Sequence, residues 1–275
     1  MKAILNILPG NVDAENSTLI CHIGEEGFSY AIKDDLQNIY VAAVVFNYEH
    51  GIRKSEQEKL LGNTLLKQVE LQSNFKKVYT IYSFSESVLM PFELYKSQEN
   101  NNILKLVHGD MDMNTILLTD IITEYGICNI YRVPENIVNL FKSKFPDVVN
   151  RHLYSVLIKQ YPPGDDKLFV IYYPQKIIVK LNKDGQTQIL NSYLYHTAID
   201  ISYILLNICK QFNVYNIPLE LSGMIDQESA LYAELRKYFE TMNFAQLPSQ
   251  VKYSEEITLN PAHYFSPIFV AHLCE

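Results

Sequence analysis

Residues 167–195 read KLFVIYYPQKIIVKLNKDGQTQILNSYLY, and their pattern predicts three antiparallel strands. A first apolar run ends at the turn Pro174-Gln175, and a second run follows it directly. Lys183-Asp184-Gly185 is then a strong hairpin signal, because Asp-Gly suits the left-handed backbone of a tight turn. The three predicted strands of this β-meander span residues 168–173, 177–181 and 188–195.

A similar meander lies about half a chain earlier. Its first turn is Gly24-Glu25-Glu26-Gly27, and residues 28–32 alternate apolar with polar or small side chains, as a half-buried strand does. Residues 161–166, YPPGDD, separate the two meanders and favour a connection between two lobes, 1–160 and 161–275. The predicted strands of the earlier meander span residues 19–23, 28–32 and 39–46.

Each meander is followed by a predicted amphipathic helix. The first begins with the capping-box pattern of residues 55–58 and runs to about residue 74. The second begins with the same pattern at residues 197–200 and is more apolar. The apolar stripe of the first helix is Leu61, Leu65, Leu66 and Val69, and that of the second is Ile201, Leu205, Ile208 and Phe212.

A further strand follows each helix, at residues 77–84 and 218–221. Helices are then expected within residues 134–145 and from Asn260-Pro261, since proline suits the first turn of a helix. Pro267 is expected to kink or end the last helix. The order meander, helix, strand, helix thus occurs twice, and it predicts an α/β fold with a three-stranded meander at the start of each lobe.

This order resembles the actin-like superfamily, whose two lobes are ribonuclease H-like repeats. Residues 176–221 resemble the second lobe of that superfamily in detail. The start and the end of the chain also look like a bacterial family of unknown function with a degenerate actin-like fold, which implies kinship with pilus-assembly and secretion scaffolds. The motifs that carry the resemblance are LICHI (19–23), GFSYAI (27–32), Asp184-Gly185, Asn191-Ser192-Tyr193, Asp200 with Tyr203, LELSG (219–223) and LCE (273–275).

The resemblance implies a phosphate loop at the first hairpin turn of each lobe, usually with Asp-x-Gly. Glycine lets the backbone approach the phosphates, and the carboxylate positions magnesium and water. In the first lobe the matching triplet is His22-Ile23-Gly24, where histidine replaces the aspartate. In the second lobe residues 172–175, YYPQ, lack both residues, and Pro174 has no amide hydrogen to donate.

Only Ser222-Gly223-Met224 remains of the glycine pair that would lie against an adenosine. The chain has 10 glycines in 275 residues, fewer than several phosphate loops would require. We therefore expect a non-catalytic binding or scaffold module with no cofactor and no catalytic residues. The alternative is an ATPase or kinase relative that binds ATP with magnesium through divergent loops, and its candidate binding residues are Gly24 and Gly223.

Other polar patterns have simpler structural interpretations, and we predict no metal site. Glu25-Glu26 is typical of a solvated turn, and the Asp-x-Asp of residues 108–112 has Asn114 as its only obvious additional ligand. His196 and Asp200 have a metal-ligand spacing, but Asp200 is explained as a helix cap. Cys21 and His22 are adjacent on a strand, so their side chains point to opposite faces and form no dyad.

The composition limits the class of partner. The formal charge of −8 argues against nucleic acid, and the longest wholly apolar run, residues 41–46, is far too short to cross a membrane. The four cysteines are scattered, which suggests reduced thiols in a cytoplasmic protein. The 20 tyrosines favour a protein-binding face, and exposed strand edges would also permit self-association.

Overall fold

A computed structural model describes residues 1–49, 51–265, 267–269 and 273. These residues form a mixed α/β structure that divides into two compact units. The first unit contains Met1–Leu157 and Val251–Ile257, and the second contains Ile158–Gln250 and Thr258–Phe269. Within the described ranges, no helix is long and apolar enough to span a membrane.

The strands are β1 (Lys2–Ile7), β2 (Ser17–Ile23), β3 (Gly27–Asp34), β4 (Ile39–Asn47), β5 (Lys77–Tyr82), β6 (Ser87–Pro91), β7 (Thr115–Ile122), β8 (Ile127–Pro134), β9 (Val149–His152), β10 (Lys167–Tyr172), β11 (Lys176–Lys183), β12 (Gln186–Leu194), β13 (Leu219–Gly223), β14 (Met242–Phe244) and β15 (Lys252–Tyr253). The helices are α1 (Lys54–Lys67), α2 (Asn100–His108), α3 (Glu135–Lys144), α4 (Leu153–Gln160), α5 (Ala198–Gln211), α6 (Ala230–Leu235) and α7 (Glu255–Thr258).

The two units repeat one sheet topology. The strand order is β4-β3-β2-β5-β9 in the first unit and β12-β11-β10-β13-β14 in the second. In both, an antiparallel meander is extended by two parallel strands beside its first strand. The two meanders predicted from the sequence are therefore confirmed, and so is the strand that follows each helix.

The helices cover these sheets with the apolar stripes that the sequence predicts, with one correction. Leu61 and Leu65 of α1 are buried, but Leu66 and Val69 are 72% and 80% exposed. Leu66 directly follows the buried Leu65, so it is turned away from the core by about a quarter of a helical turn. Val69 lies beyond the end of α1 at Lys67, where the Gln72 side chain donates to the main-chain oxygen of Leu65 at 2.6 Å. This bond satisfies a carbonyl of the last turn, so the helix does not continue to residue 74.

The start of α1 is also corrected. Its N-cap is Arg53, and the amide of Arg53 is 3.4 Å from the Glu56 carboxylate. The cap of α5, by contrast, is the predicted one: the Asp200 amide donates to Thr197 Oγ1 at 3.2 Å, and the Asp200 carboxylate accepts from the Thr197 amide at 2.8 Å. Ile201, Leu205 and Ile208 of α5 pack into the core of the second unit.

The last predicted helix is short. Among the described residues that follow Pro261, the chain forms a 3-10 turn, Ala262–Tyr264, which the four-residue α7 precedes. The strand predicted over residues 77–84 ends at Tyr82, and that predicted over 218–221 spans Leu219–Gly223. Two of the three residues of the 273–275 motif lie outside the described residues.

The first unit carries two features that the sequence did not indicate. One is a separate antiparallel sheet, β6-β8-β7, inserted with α2 between β5 and α3 around a small core of Leu104, Cys128 and Ile130. The other is a pair of extra strands on β4, antiparallel β1 and parallel β15. Cys21, Cys128 and Cys209 are buried free thiols, and the fourth cysteine, Cys274, lies outside the described residues.

Candidate functional site

Main-chain hydrogen bonds hold the first hairpin turn in place. The Gly24 amide donates to Gly27 O at 3.1 Å, and the Ser83 amide donates to Ile23 O at 2.9 Å. A Cβ added at Gly24 would lie 2.1 Å from Ser83 Oγ. Glycine therefore leaves room here for the Ser83 hydroxyl of the segment after β5, whereas the main chain of Ser83 stays at an ordinary contact distance of 3.5 Å.

The same turn also carries the negatively charged Glu25, which binds the segment after β5. The Glu25 carboxylate accepts a hydrogen bond from the Ser85 amide and another from Ser85 Oγ, both at 2.9 Å. The Glu26 main-chain oxygen accepts from the Tyr48 amide at 3.0 Å. Amide and hydroxyl donors of the kind that hold a phosphate are thus used by a carboxylate of the protein.

His22 and Cys21 lie as the strand geometry predicts. Cys21 packs in the apolar core of the first unit with Leu19 and Ile23, and burial raises the pKa of its thiol. His22 is the intervening residue of the same strand, β2, so its side chain is directed to the other face of the sheet. The pair is therefore not arranged as a nucleophile and its base.

The second hairpin turn is also satisfied internally. The Tyr173 amide donates to Lys176 O at 2.9 Å, and the Tyr195 amide donates to Gln175 O at 3.1 Å. The Tyr195 hydroxyl donates to Tyr173 O at 2.7 Å. Pro174 has no amide hydrogen, so this turn presents few donors to an anion.

Gly223 ends β13 in a conformation that only glycine adopts easily. Its φ is +89°, and an added Cβ would lie 2.3 Å from the main-chain oxygen of Tyr172, its partner on β10. The neighbouring Ser222 hydroxyl donates to His263 O at 3.3 Å. The positive φ and the close approach of the Tyr172 main chain therefore account for this glycine. Gly24 belongs to the first unit and Gly223 to the second.

The carboxylates that were considered as metal ligands accept hydrogen bonds or form ion pairs within the protein. Asp200 Oδ2 accepts from the amides of His196 and Thr197, and these bonds hold the pKa of Asp200 below its usual range. Asp110 Oδ1 lies 2.6 Å from Lys105 Nζ, and Asp112 Oδ1 accepts from the Asn114 amide at 3.2 Å. Across the described residues, no three His, Cys, Asp or Glu side chains are grouped as metal ligands would be.

Sequence reasoning missed a buried polar network in the first unit. Asp120 Oδ2 accepts from the His152 amide at 2.7 Å, and Asp120 Oδ1 accepts from the Tyr131 hydroxyl at 3.1 Å. Burial raises the pKa of Asp120 and of Tyr131. The Asn129 amide group donates to Ser155 Oγ at 3.1 Å.

The role of this network is structural. His152 Nδ1 accepts from the Tyr154 amide at 3.1 Å, so Nε2 carries the hydrogen and donates to Phe84 O at 3.0 Å. Through these bonds the network joins the inserted sheet to β9 and α4. Its members are scattered over residues 120–155 with no motif spacing, so no local signal could have revealed it.

The chain belongs to a family described as "Protein of unknown function (DUF3822)", whose model matches residues 11–242. It is similar to a Bacteroides thetaiotaomicron protein "with actin-like ATPase fold and unknown function": the TM-score is 0.76 at 17% identity, over 86% of this chain and 94% of that one. The match to a chain of the "PilM-PilN type IV pilus biogenesis complex" has a TM-score of 0.58 at 11% identity, over 94% and 96%. No curated protein matches significantly. These likenesses establish the actin-like fold.

Proposed function

We propose that this protein is a non-catalytic actin-like module that binds another protein and has lost the nucleotide chemistry of the fold. The observation that carries the proposal is that both glycines available for a nucleotide, Gly24 and Gly223, are explained by contacts of the chain with itself. At Gly24 the neighbour is Ser83 Oγ, and at Gly223 it is the main chain of Tyr172. A phosphate at the first turn would also compete with Gly27 O for the Gly24 amide.

A protein partner is supported by an exposed apolar stripe on α5. Ile199, Tyr203 and Leu206 follow the i, i+4, i+7 spacing of one helix face, and they are 67%, 72% and 37% exposed. Exposed apolar patches of this kind mark interaction surfaces in soluble proteins. That a relative of the same fold was solved within a pilus biogenesis complex agrees with such a role. The proposal includes a cytoplasmic, bacterial setting, which the buried free thiols favour.

Calorimetric titration with ATP and ADP, with and without magnesium, tests the loss of nucleotide chemistry. We expect no saturable heat up to about 1 mM nucleotide, since the Gly24 and Tyr173 amides already donate within their own turns and Pro174 has no amide hydrogen. Saturable binding at micromolar concentration would instead establish the alternative, a nucleotide-dependent member of the fold. In that case Gly24→Ala and Gly223→Ala, compared with Gly109→Ala, would show whether these turns form the site, because an added Cβ at Gly109 contacts nothing within 4 Å.

A further inference from the structure

β12 forms the outer edge of the sheet in the second unit. The strand has nine residues, Gln186–Leu194, and within the described ranges it pairs with β11 alone. In the first unit the corresponding strand is β4, and its outer edge carries two strands of the chain, β1 and β15. The same edge of the same topology is therefore extended by added strands in the first unit, but not in the described part of the second.

β12 lacks the features that keep the edges of sheets from pairing. Such features include very short strands, lysine and proline. The opposite edge of this sheet is β14, which has three residues. By contrast, the sequence of β12 is QTQILNSYL, with no charged residue, no proline and no glycine. A long, uncharged edge strand of this kind is suited to pairing with a further strand.

One hydrogen bond fixes the direction of the main-chain groups of β12. The Tyr195 amide donates to Gln175 O at 3.1 Å, so the main chain of Tyr195 faces β11. Antiparallel pairs alternate between bonded and non-bonded positions. The main-chain groups of the odd-numbered residues from 189 onward therefore face β11, and those of the even-numbered residues from 190 to 194 face outward.

These outward amides can bond to a further strand. Those of Leu190 and Leu194 have no main-chain partner among the described residues. That of Ser192 donates to the side-chain oxygen of Asn191 at 2.9 Å, and the Asn191 side chain is exposed. Because exposed side chains change rotamer readily, a carbonyl of an added strand can take the place of the Asn191 oxygen.

The order of side chains in β12 selects a second copy of the chain as the partner. When two copies of β12 pair antiparallel with Ser192 opposite itself, the outward groups of one copy meet those of the other. Leu190 then lies opposite Leu194 of the second copy, and Asn191 lies opposite Tyr193. Leu194 is 74% exposed and gains an apolar neighbour, while no charged side chains of the two strands are brought together.

The other symmetric registers match the side chains less well. An axis at Asn191 would place Leu194 opposite Gln188, and an axis at Tyr193 would place it opposite Ser192. Pairing about Ser192 sets each leucine opposite a leucine and leaves the polar serine opposite itself. We infer that this protein forms a two-fold symmetric dimer through antiparallel pairing of β12 with β12 of a second copy, with Ser192 at the axis.

Cross-linking through a single added cysteine tests the register. Ser192→Cys should give a covalent dimer on mild oxidation, because the two copies of residue 192 lie opposite each other at a Cα separation that a disulfide spans. Gln186→Cys is the matched control: it lies on the same face of the same strand, but its two copies would be roughly 40 Å apart. The native chain controls for its own four cysteines. Equal cross-linking of the two variants would contradict the inference.

Sedimentation equilibrium of the full chain, from about 1 μM to about 200 μM, tests the dimer without a cross-link. We expect the mass to rise from 31.8 kDa toward twice that value. Leu194→Lys should weaken the dimer at least about tenfold, because it replaces a leucine pair twice in each dimer. Ile199→Lys adds the same charge at an exposed apolar residue of α5 and should weaken the dimer by less than about twofold.

Two results of this second experiment would overturn the inference. One is a mass of 31.8 kDa that persists to about 200 μM. The other is equal weakening by Leu194→Lys and Ile199→Lys, which would mean that β12 does not form the interface. Circular dichroism checks that each variant folds. If Leu194→Lys does not fold, Asn191→Lys replaces it, because that side chain is exposed and lies opposite Tyr193 in the same register.

Discussion

Gly223 occupies a backbone conformation, φ +89°, that residues with a Cβ rarely adopt. Any substitution there therefore destabilises the folded state in two ways: it strains the backbone, and it places a Cβ 2.3 Å from Tyr172 O. Gly109 has a similar φ of +87° but open space around it. Comparing a substitution at Gly223 with the same substitution at Gly109 therefore separates the effect of steric contact from that of backbone strain.

At the residue scale, we expect Gly223→Ala to lower the free energy of unfolding by about 3 kcal/mol or more, and Gly109→Ala by about 1–2 kcal/mol. The neighbour at Gly223 is main chain and cannot rotate away, which is the reason for the larger loss. Chemical denaturation of both variants measures the difference. Equal losses would mean that the approach of Tyr172 does not dictate the glycine.

At the element scale, β11 is buried on both faces. Ile177, Val179 and Leu181 pack into the core of the second unit, while Lys180 and Asn182 point to the other face and are 2% and 1% exposed. Lys180 Nζ donates to Tyr161 O at 2.7 Å, and no described carboxylate lies within ion-pair distance of it. Burial lowers the pKa of Lys180 to about 8.

This lowered pKa makes stability depend on pH. Between about pH 8 and the ordinary lysine pKa, the unfolded chain binds a proton at Lys180 that the folded chain does not, so stability rises with pH. We expect the free energy of unfolding of the native chain, relative to Lys180→Met, to rise by up to roughly 3 kcal/mol across that window. Below pH 8 the difference should be constant.

Urea denaturation of both chains at a series of pH values from 7 to about 10.5 measures this difference. Lys142→Met provides the control, because that side chain is exposed and the same change of residue there removes a lysine from the surface rather than from the interior. A flat profile for Lys180→Met would show that Lys180 keeps its proton in the folded protein.

At the scale of the whole molecule, a segment from near the end of the chain completes the first unit. β15 pairs with β4, and the Tyr253 ring stacks on the buried Tyr40 at 5.7 Å and 13°. Burial also raises the pKa of Tyr253. The stability of the first unit therefore depends on residues about 200 positions away in sequence from the strand that they cover.

We expect Tyr253→Ala to lower the free energy of unfolding by about 2 kcal/mol, because it removes an aromatic pair and leaves Tyr40 partly uncovered. Tyr215→Ala is the matched control: that ring is 80% exposed, and its loss should change stability by less than about 0.5 kcal/mol. Thermal unfolding of both variants measures the effect. Equal stability of the two variants would contradict a structural role for β15.

The sequence by itself determined the two meanders, the helix and the strand that follow each of them, and the cap of α5. These depend on residues within one or two turns of each other: Asp184 and Gly185 both take a positive φ in the hairpin, and Thr197 and Asp200 bond across one helical turn. For the candidate site, the sequence identified Gly24 and Gly223 but not the reason for either glycine.

Only the tertiary structure decided what surrounds those glycines, because Ser83 and Tyr172 are each about 50 or more positions away in sequence. The same holds for the burial of Lys180 and the pairing of β15. Local sequence patterns indicate which face of a helix or strand is apolar. They do not indicate which distant segment packs on that face, since this depends on the packing of the whole folded chain.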